Sequence, residues 1–390
     1  SLLEMPDSTG DVLYNRELFF PMPVILLEDG LYTNTDDILP TGCKIVSINN
    51  LKADKILDSL TIYNGIDGNH RETQRYIAAS TFGFDYFTHF GASAEYNVVY
   101  IDTAGVRSAK VIKPINLTEL NSRQRNKYYF DATDVPYAMN IEEEYGIATI
   151  RVSTFDLDSY SQRRAYSDFL SNSFELLKLK PNVKNLVIDL RENSGGKLMC
   201  AYQLFSYIAD KPFKEYASVS SRIRKVPYTS LISANTAADV EYDINDYLKS
   251  DFLDIKTDVC CIPDSLIADW KPEENRFNGK VFVIANAGVA SSASCFTSLV
   301  KNNNRGVVVG TETGGGRYAG NGFEHLEYIL PHSKIAVQFP FARLNYTNDS
   351  LHDGHGIMPD YKVPDNLDFF KTNSDRQLIF IKDSLISKKG

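Results

Sequence analysis

Short apolar runs alternate with longer amphipathic segments from about residue 145 onward. Four of these runs are almost continuously apolar: Tyr145–Val152, Asn185–Arg191, Lys280–Asn286 and Gly306–Gly310. Such runs are typical of central strands in a parallel sheet, because both of their faces are buried. Apolar residues at helical spacing predict helices between them: Ser161–Leu179, Leu198–Ala209 and Ser292–Asn302. This alternation predicts an α/β core with a largely parallel sheet.

The first 115 residues follow a different pattern. Runs typical of strands occur at Pro23–Leu27, Cys43–Asn49 and Tyr96–Asp102. Between the second and third of these runs, Ala53–Phe90 has few turn residues and carries apolar residues at helical intervals. We therefore predict a small β-rich module over residues 1–115 with a helical insertion.

Two segments lack this regularity. Residues 116–140 are polar and carry charges on both sides of aromatic residues, which predicts a linker. Residues 211–276 are rich in Ser, Asp and Lys, which predicts an inserted loop region near the cleft. The predicted organisation is a module over 1–115, a linker over 116–140 and a core over 141–390, with the insertion at about 211–276.

Composition and charge exclude several classes of function. The 390 residues are 43% hydrophobic, which is enough for an extensive packed core. The net charge of −9, without a Lys/Arg-rich run, argues against nucleic acid as a partner. No segment has the roughly 18 to 20 consecutive apolar residues that cross a bilayer. The five cysteines lack CxxC spacing, so we expect no metal site, and no motif calls for a cofactor.

Two turns contain residues that could take part in catalysis, and each turn lies between a buried strand and a helix. Asp189–Gly196 ends in two glycines, which allow backbone N–H groups to point into a cleft and stabilise an anion. Ala290–Ser294 places serines among the unpaired N–H groups of a helix N-terminus. Each turn also has a structural interpretation, which is a tight turn for the glycines and helix capping for the serines.

Two further segments are rich in turn residues. Gly310–Gly322 has too many glycines for the interior of an element, yet it lacks the GxxxxGK[ST] motif of a phosphate-binding loop. The wall of a substrate cleft is the better interpretation. Asp353–Asp360 combines a carboxylate and an imidazole with turn residues, and its structural interpretation is a surface turn.

In this order, the four segments resemble the motifs of the S41 family, the tail-specific or C-terminal processing peptidases. DLRENSGG is similar to the family's DLRxNxGG, ASSAS to its nucleophile turn, VVVGTETGGG to its VxGxxTxG, and GHGIMPDYKV to its closing GxGxxPDxxV. The resemblance spans about residues 145–365 and implies a ClpP/crotonase-like core. Upstream, LPTGCKIVSINN is similar to part of the family's PDZ-like module, which implies that fold for residues 1–115.

The resemblance also implies roles for individual residues. It places the nucleophile on Ser291 and an oxyanion-stabilising N–H group on Ser292. A second such N–H group would come from Gly195 or Gly196.

Departures from the family's pattern favour one of its branches. Gly316 stands where the Ser/Lys branch has its lysine, and Ser294 stands where many members have Glu. The chain therefore resembles the Ser-His, tricorn-like branch more closely. Asp353 stands where that branch has the acid that orients its histidine.

The motifs do not identify the general base. Among six histidines, His89 in DYFTHFG is the best candidate within the chain, although a histidine among aromatic residues is more often structural. His355 adjoins the closing motif and is a second candidate, whereas the polar turn around His70 favours a structural role. In the Ser-His branch the histidine lies upstream of the PDZ-like module, so we expect the base in a segment before Ser1.

The resemblance implies a serine endopeptidase that cleaves peptides or proteins through an acyl-enzyme at Ser291. The family commonly works outside the cytoplasm, which implies an extracytoplasmic location, periplasmic or surface-anchored. One alternative is a catalytically impaired peptide-binding protein, or a fragment without its N-terminal base histidine. Another, a crotonase-like enzyme acting on acyl thioesters, leaves the PDZ-like module and the closing GIMPD unexplained.

Overall fold

The computed structural model describes residues 13–34, 37–66, 68, 70–123, 135–234, 244–256, 258–321, 325–346, 353–368, 372 and 374–387. Within them the strands are β1 Val24–Leu27, β2 Gly30–Thr33, β3 Lys44–Ile48, β4 Leu51–Lys52, β5 Tyr96–Ile101, β6 Arg107–Ile112, β7 Tyr137–Glu142, β8 Ile147–Val152, β9 Asn185–Asp189, β10 Phe213–Lys214, β11 Ser218–Ser221, β12 Asp254–Lys256, β13 Val259–Cys261, β14 Asp269–Trp270, β15 Lys280–Ala285, β16 Val307–Gly310, β17 Ala319–Gly320, β18 His325–Ile329, β19 Ala336–Pro340, β20 Ala342–Asn345 and β21 Tyr361–Lys362.

The helices complete the description of the elements. They are α1 Ala53–Leu60, α2 Arg71–Ser80, α3 Phe82–Phe90, α4 Leu117–Arg123, α5 Tyr160–Lys178, α6 Leu198–Ser206, α7 Asn245–Ser250, α8 Ser291–Asn302 and α9 Arg376–Phe380, which continues as a π-helix over Ile381–Ile386.

The N-terminal part is an antiparallel sheet that shares its core with helices. The strand order is β1-β2-β3-β5-β6, and β4 pairs with β3. Helices α1 to α3 lie between β4 and β5, where the helical insertion was predicted. Helix α1 packs on the sheet through Ile56, Leu57 and Leu60, which are three and four residues apart and almost fully buried.

Six strands form the sheet of the core, in the order β21-β16-β15-β9-β8-β7. All pairings are parallel except that of β7 with β8. All five residues of β9 are buried, because α5, α6 and α8 pack on one face of the sheet and α9 packs on the other. This arrangement confirms the predicted α/β core with a parallel-rich sheet.

The segment 211–276, predicted as a loop region, contains strands instead. Strands β11, β12 and β13 join β20 and β17 in a five-stranded sheet, while β10 pairs with β14. This sheet has its own apolar cluster, which includes Val219, Ile262 and Leu344. The prediction was wrong because these strands are only two to four residues long, too short to show alternation. Their stability also depends on β20, which is distant in sequence.

The predicted linker at 116–140 also contains elements. Helix α4 occupies its start, and β7 begins at Tyr137 and pairs with β8 along its whole length. The core sheet therefore begins inside this segment. Residues 124–134 lie outside the described residues.

Candidate active site

Three loops meet at one edge of the core sheet. Strands β9, β15 and β16 are adjacent and parallel, with Asp189 opposite Ile284 and Ala285 opposite Gly310. Because parallel neighbours end at the same edge, the loops that follow these strands lie side by side. These loops hold the DLRENSGG turn, the serine turn and the glycine-rich stretch.

Ser291 is exposed and stands in a strained backbone conformation at the start of α8. Its φ is 50°, in the left-handed region that non-glycine residues rarely adopt. Such a conformation costs about 1–3 kcal/mol and clusters at functional sites. An ideal Cβ placed on Gly195 would lie 2.5 Å from the Cβ of Ser291, so only glycine fits beside this serine. The DLRENSGG turn and the serine turn are therefore packed against each other.

Backbone N–H groups near Ser291 have different partners. Ser292 lies in the first turn of α8, where N–H groups lack intrahelical acceptors. The N–H of Gly195 donates to Oδ1 of Asn193 at 2.9 Å. The N–H of Gly196 has no acceptor among the described residues. Of the two glycines, Gly196 is thus the one whose N–H is open to an oxyanion.

His70 is enclosed between the N-terminal helices and the glycine-rich stretch. Its side chain is 0% exposed, and its Nδ1 lies 3.2 Å from Oε1 of Glu312, which is 11% exposed. Neither ring nitrogen makes a hydrogen bond within the described part of the chain. A buried polar group without a partner costs about 1–3 kcal/mol, which is unfavourable for a purely structural histidine.

A second histidine faces the same carboxylate. Nδ1 of His355 lies 3.2 Å from Oε1 of Glu312, and the two imidazole rings are 5.9 Å apart. The N–H of Gly356 also donates to this oxygen at 2.8 Å. The side chain of His355 is 43% exposed. Glu312 is therefore fixed by the closing motif and points toward two imidazoles.

The glycine-rich stretch connects this cluster to Ser291. An ideal Cβ on Gly315 would lie 3.0 Å from the backbone N of Ser291 and 2.3 Å from Oγ of Ser294. Glu312, three residues earlier, contacts His70. On the other side, an ideal Cβ on Gly68 would lie 2.1 Å from the carbonyl oxygen of Gly354. Gly68, two residues before His70, therefore packs directly against the closing motif of the core.

Comparison with known proteins identifies the family of the chain. The model of peptidase family S41 matches residues 146–363. The chain belongs to this family. It is therefore a serine-type peptidase by family. No curated protein matches the chain in sequence.

Solved structures share the fold of this S41 chain. A structure of mature CPAF in complex with lactacystin is 15% identical, with a TM-score of 0.64 over 94% of this chain and 82% of that one. A crystal structure of a serine-to-alanine mutant of CPAF is 14% identical, with a TM-score of 0.66 over 98% and 87%. At such low identity the likeness concerns the fold alone.

The structure separates the predicted site residues of this S41 chain. Ser291, Ser292, Gly195 and Gly196 come together at the sheet edge. Asp353 is exposed, and its Oδ1 accepts the backbone N–H of His355 at 3.0 Å. The carboxylate that faces the imidazoles is that of Glu312.

His89 lies on the surface of the N-terminal part. It stands near the end of α3, where its Nδ1 is 3.2 Å from the Tyr63 hydroxyl and its ring packs against Phe90. Of these two neighbours, Phe90 belongs to the aromatic run around His89 that the sequence associated with a structural histidine.

Glu192 is a half-buried carboxylate that the sequence did not single out. Its φ is 65°, its Oε2 accepts a hydrogen bond from the Tyr76 hydroxyl, and its Oε1 accepts one from Nδ2 of Asn286 at 2.7 Å. Burial raises the pKa of Glu192, and these two hydrogen bonds oppose the shift. Burial and the Glu192 charge raise the pKa of Tyr76 well above its usual value. Through this contact, α2 also holds the DLRENSGG turn.

Arg191 fixes the same turn from the opposite side. It is 5% exposed and pairs with Asp189 at 2.7 Å and with Asp375 at 2.5 Å. The two carboxylates raise the pKa of Arg191, against the effect of burial. The guanidinium therefore stays charged and links the end of β9 to α9.

The described residues include no group of three or more His, Cys, Asp or Glu that could hold a metal ion. No helix within them is long and apolar enough to span a membrane.

The sequence missed His70 and Glu312 because each looks ordinary in isolation. His70 lies in a polar turn, and Glu312 lies among glycines and threonines. The available signal was the glycine-rich stretch itself, since a carboxylate there would lie beside the serine turn.

Proposed function

We propose that this chain hydrolyses peptide bonds of peptides or proteins with Ser291 as nucleophile, His70 as general base and Glu312 as the acid that orients the imidazole. The placement of His70 carries the proposal. Its imidazole is fully buried, and its Nδ1 lies 3.2 Å from Oε1 of Glu312. Glu312 belongs to the glycine-rich stretch, which also contacts Ser291. Catalytic hydrogen bonds are often misaligned without substrate, so the open nitrogens of His70 suit this role.

The reaction is acyl transfer in two halves. Ser291 Oγ attacks the peptide carbonyl carbon while its proton passes to His70, and the imidazolium is stabilised by the Glu312 carboxylate. The C–N bond then breaks, and His70 gives the proton to the departing amine. In the second half, water attacks the ester and delivers its proton to His70. The bond to Ser291 breaks and the serine recovers its proton.

The tetrahedral intermediate carries a negative oxygen next to Ser291. We assign its stabilisation to the N–H groups of Ser292 and Gly196, in preference to Gly195, whose N–H is engaged by Asn193. The φ of 133° at Gly196 requires glycine there.

With His70 as the base, the general base lies within the chain, and the chain belongs to the Ser-His branch of the family. His70 belongs to the helical insertion of the N-terminal part, which we interpret as a PDZ-like module, and the core as ClpP/crotonase-like. The family resemblance supports an extracytoplasmic location as part of the same proposal.

Degradation of an unfolded protein tests the proposed function. We expect the full chain to cleave unfolded casein into peptides that mass spectrometry identifies, and the Ser291→Ala variant to leave it intact. If the wild-type chain retains casein on a column without cutting it, the function is peptide binding and the proposal is wrong. Equal cleavage by both proteins would place the nucleophile elsewhere.

A further inference from the structure

A chain of hydrogen bonds links helix α2 to the turns on both sides of the candidate site. The Tyr76 hydroxyl donates to Oε2 of Glu192, and Nδ2 of Asn286 donates to Oε1 of the same carboxylate at 2.7 Å. Tyr76 lies on α2, Glu192 lies in the DLRENSGG turn, and Asn286 directly follows β15. One carboxylate therefore connects three segments that are distant in sequence.

Asn286 ties the DLRENSGG turn to the serine turn. It is 5% exposed, and its Oδ1 accepts the backbone N–H groups of Glu192 at 3.2 Å and of Gly288 at 3.1 Å. The N–H of Ala290 donates to the carbonyl oxygen of Asn193 at 3.0 Å, which is a second link between the two turns. A displacement of Glu192 would therefore also displace the serine turn.

Tyr76 is packed tightly against this junction. An ideal Cβ on Gly288 would lie 3.0 Å from the Tyr76 hydroxyl oxygen and 3.0 Å from Cα of Glu192. Burial and the Glu192 charge raise the pKa of Tyr76 well above its usual value, so the hydroxyl keeps its proton and remains the donor. A hydrogen bond to an ionised carboxylate is stronger than one between neutral groups. Tyr76 therefore fixes the middle of α2 to the DLRENSGG turn.

The same helix carries His70 at its start. His70 is the N-cap of α2, and its carbonyl oxygen accepts the N–H of Gln74 at 2.9 Å. At about 1.5 Å per residue, Tyr76 lies about 9 Å further along the helix axis. Because a helix is rigid over so short a distance, the position of Tyr76 also fixes that of His70.

We propose that Tyr76 is a positioning residue for the reaction, because its hydroxyl, through Glu192 and Asn286, holds the helix of the base at a fixed place relative to the serine turn. The inference rests on the proposed peptidase function and goes beyond it, since Tyr76 acts on His70 and Ser291 only through other residues. A displacement of about 1 Å at a catalytic group costs up to about 100-fold in rate, so one hydrogen bond at this junction controls kcat.

Kinetics of single and double variants test this role. Tyr76→Phe removes only the hydroxyl, so we expect kcat for cleavage of an unstructured casein peptide to fall about tenfold, with KM changed less than about twofold. Glu192→Gln offers one acceptor oxygen to two donors and should show the same loss. In the double variant the Gln oxygen serves Asn286 alone, so the loss should stay near tenfold instead of reaching about 100-fold.

Two controls separate this effect from general damage. Tyr63→Phe removes a hydroxyl that contacts His89 on the surface, and Glu72→Gln breaks the exposed ion pair between α2 and Lys362. Both should retain the wild-type kcat. An unchanged kcat in Tyr76→Phe, a change in KM alone, or a double variant near the product of the single losses overturns the inference.

Hydrogen–deuterium exchange tests the same linkage without activity. In Tyr76→Phe, amides at the start of α2 and in the serine turn should both exchange about threefold faster than in the wild type or more. In Tyr63→Phe both segments should keep the wild-type rate. Faster exchange around residue 76 alone overturns the inference, whatever the activity. If the wild-type chain cleaves no casein while both segments of Tyr76→Phe exchange faster, only the peptidase function is contradicted.

Discussion

Nδ1 of His70 lies 3.2 Å from Oε1 of Glu312, so a histidine from the N-terminal helical insertion meets a carboxylate from the glycine-rich stretch of the core. This contact joins the two parts of the molecule at the edge of the core sheet where Ser291 stands. The N-terminal part thereby contributes His70 to the candidate site.

Glu312→Gln tests the orienting carboxylate. The neutral amide keeps the size of the side chain but removes the charge that stabilises an imidazolium at His70, so we expect kcat for peptide cleavage to fall about 100-fold or more. KM should change much less. The exposed Glu274→Gln is the control and should retain wild-type kcat. Equal kcat in both variants would mean that Glu312 has no part in catalysis.

Gly195→Ala tests the packing of the two turns. The new methyl group would lie 2.5 Å from the Cβ of Ser291, and the φ of 109° disfavours alanine. We expect loss of cleavage and a loss of about 1–3 kcal/mol in the free energy of unfolding, measured with urea.

Gly105→Ala separates these two effects. Gly105 also has a positive φ, 86°, but no atom lies within 4 Å of its ideal Cβ. This variant should lose free energy of unfolding through backbone strain alone, and its cleavage activity should be unchanged. A Gly195→Ala chain that is as active as Gly105→Ala would show that the serine turn tolerates displacement.

Glu192→Gln tests this half-buried carboxylate through the pH dependence of stability. Burial raises the pKa of Glu192 from its usual 4.5, so the folded state favours the neutral carboxyl group. The stability that the folded state gains by keeping this carboxyl group neutral is fully present below pH 4.5. It is lost as the pH rises through the raised pKa of Glu192. Between pH 4 and 7, the wild-type free energy of unfolding should therefore decline relative to that of Glu192→Gln.

The control for this experiment is Glu175→Gln, on the exposed surface of α5. Its pH profile of unfolding should run parallel to that of the wild type. A parallel profile for Glu192→Gln as well would mean that Glu192 titrates alike in the folded and unfolded states.

The sequence predicted those parts of the molecule that depend on local patterns. Strands β8, β9, β15 and β16 are short and buried on both faces, so their apolar runs are unmistakable. The turns that hold Gly195 and Ser291 follow such strands directly, and their small residues mark them.

What the sequence did not predict depends on contacts between distant segments. His70 gains its significance only from Glu312, and Glu192 only from Tyr76, and in both cases α2 has to dock on the core first. Likewise, β11 is recognisable as a strand only beside β20. His89 was the best candidate for the base by sequence, but it contacts Tyr63 and Phe90 on the surface of the N-terminal part.

The most direct test of the central claim is fluorophosphonate labelling of Ser291, located by mass spectrometry of the full chain. If His70 is the base that activates this serine, the wild-type chain and the His89→Ala variant should be modified at Ser291 at similar rates. The His70→Ala variant should react about 100-fold more slowly or not at all. Circular dichroism should show that all three proteins are folded. Labelling of Ser291 at the wild-type rate in His70→Ala would contradict the account and leave His355 as the base to examine.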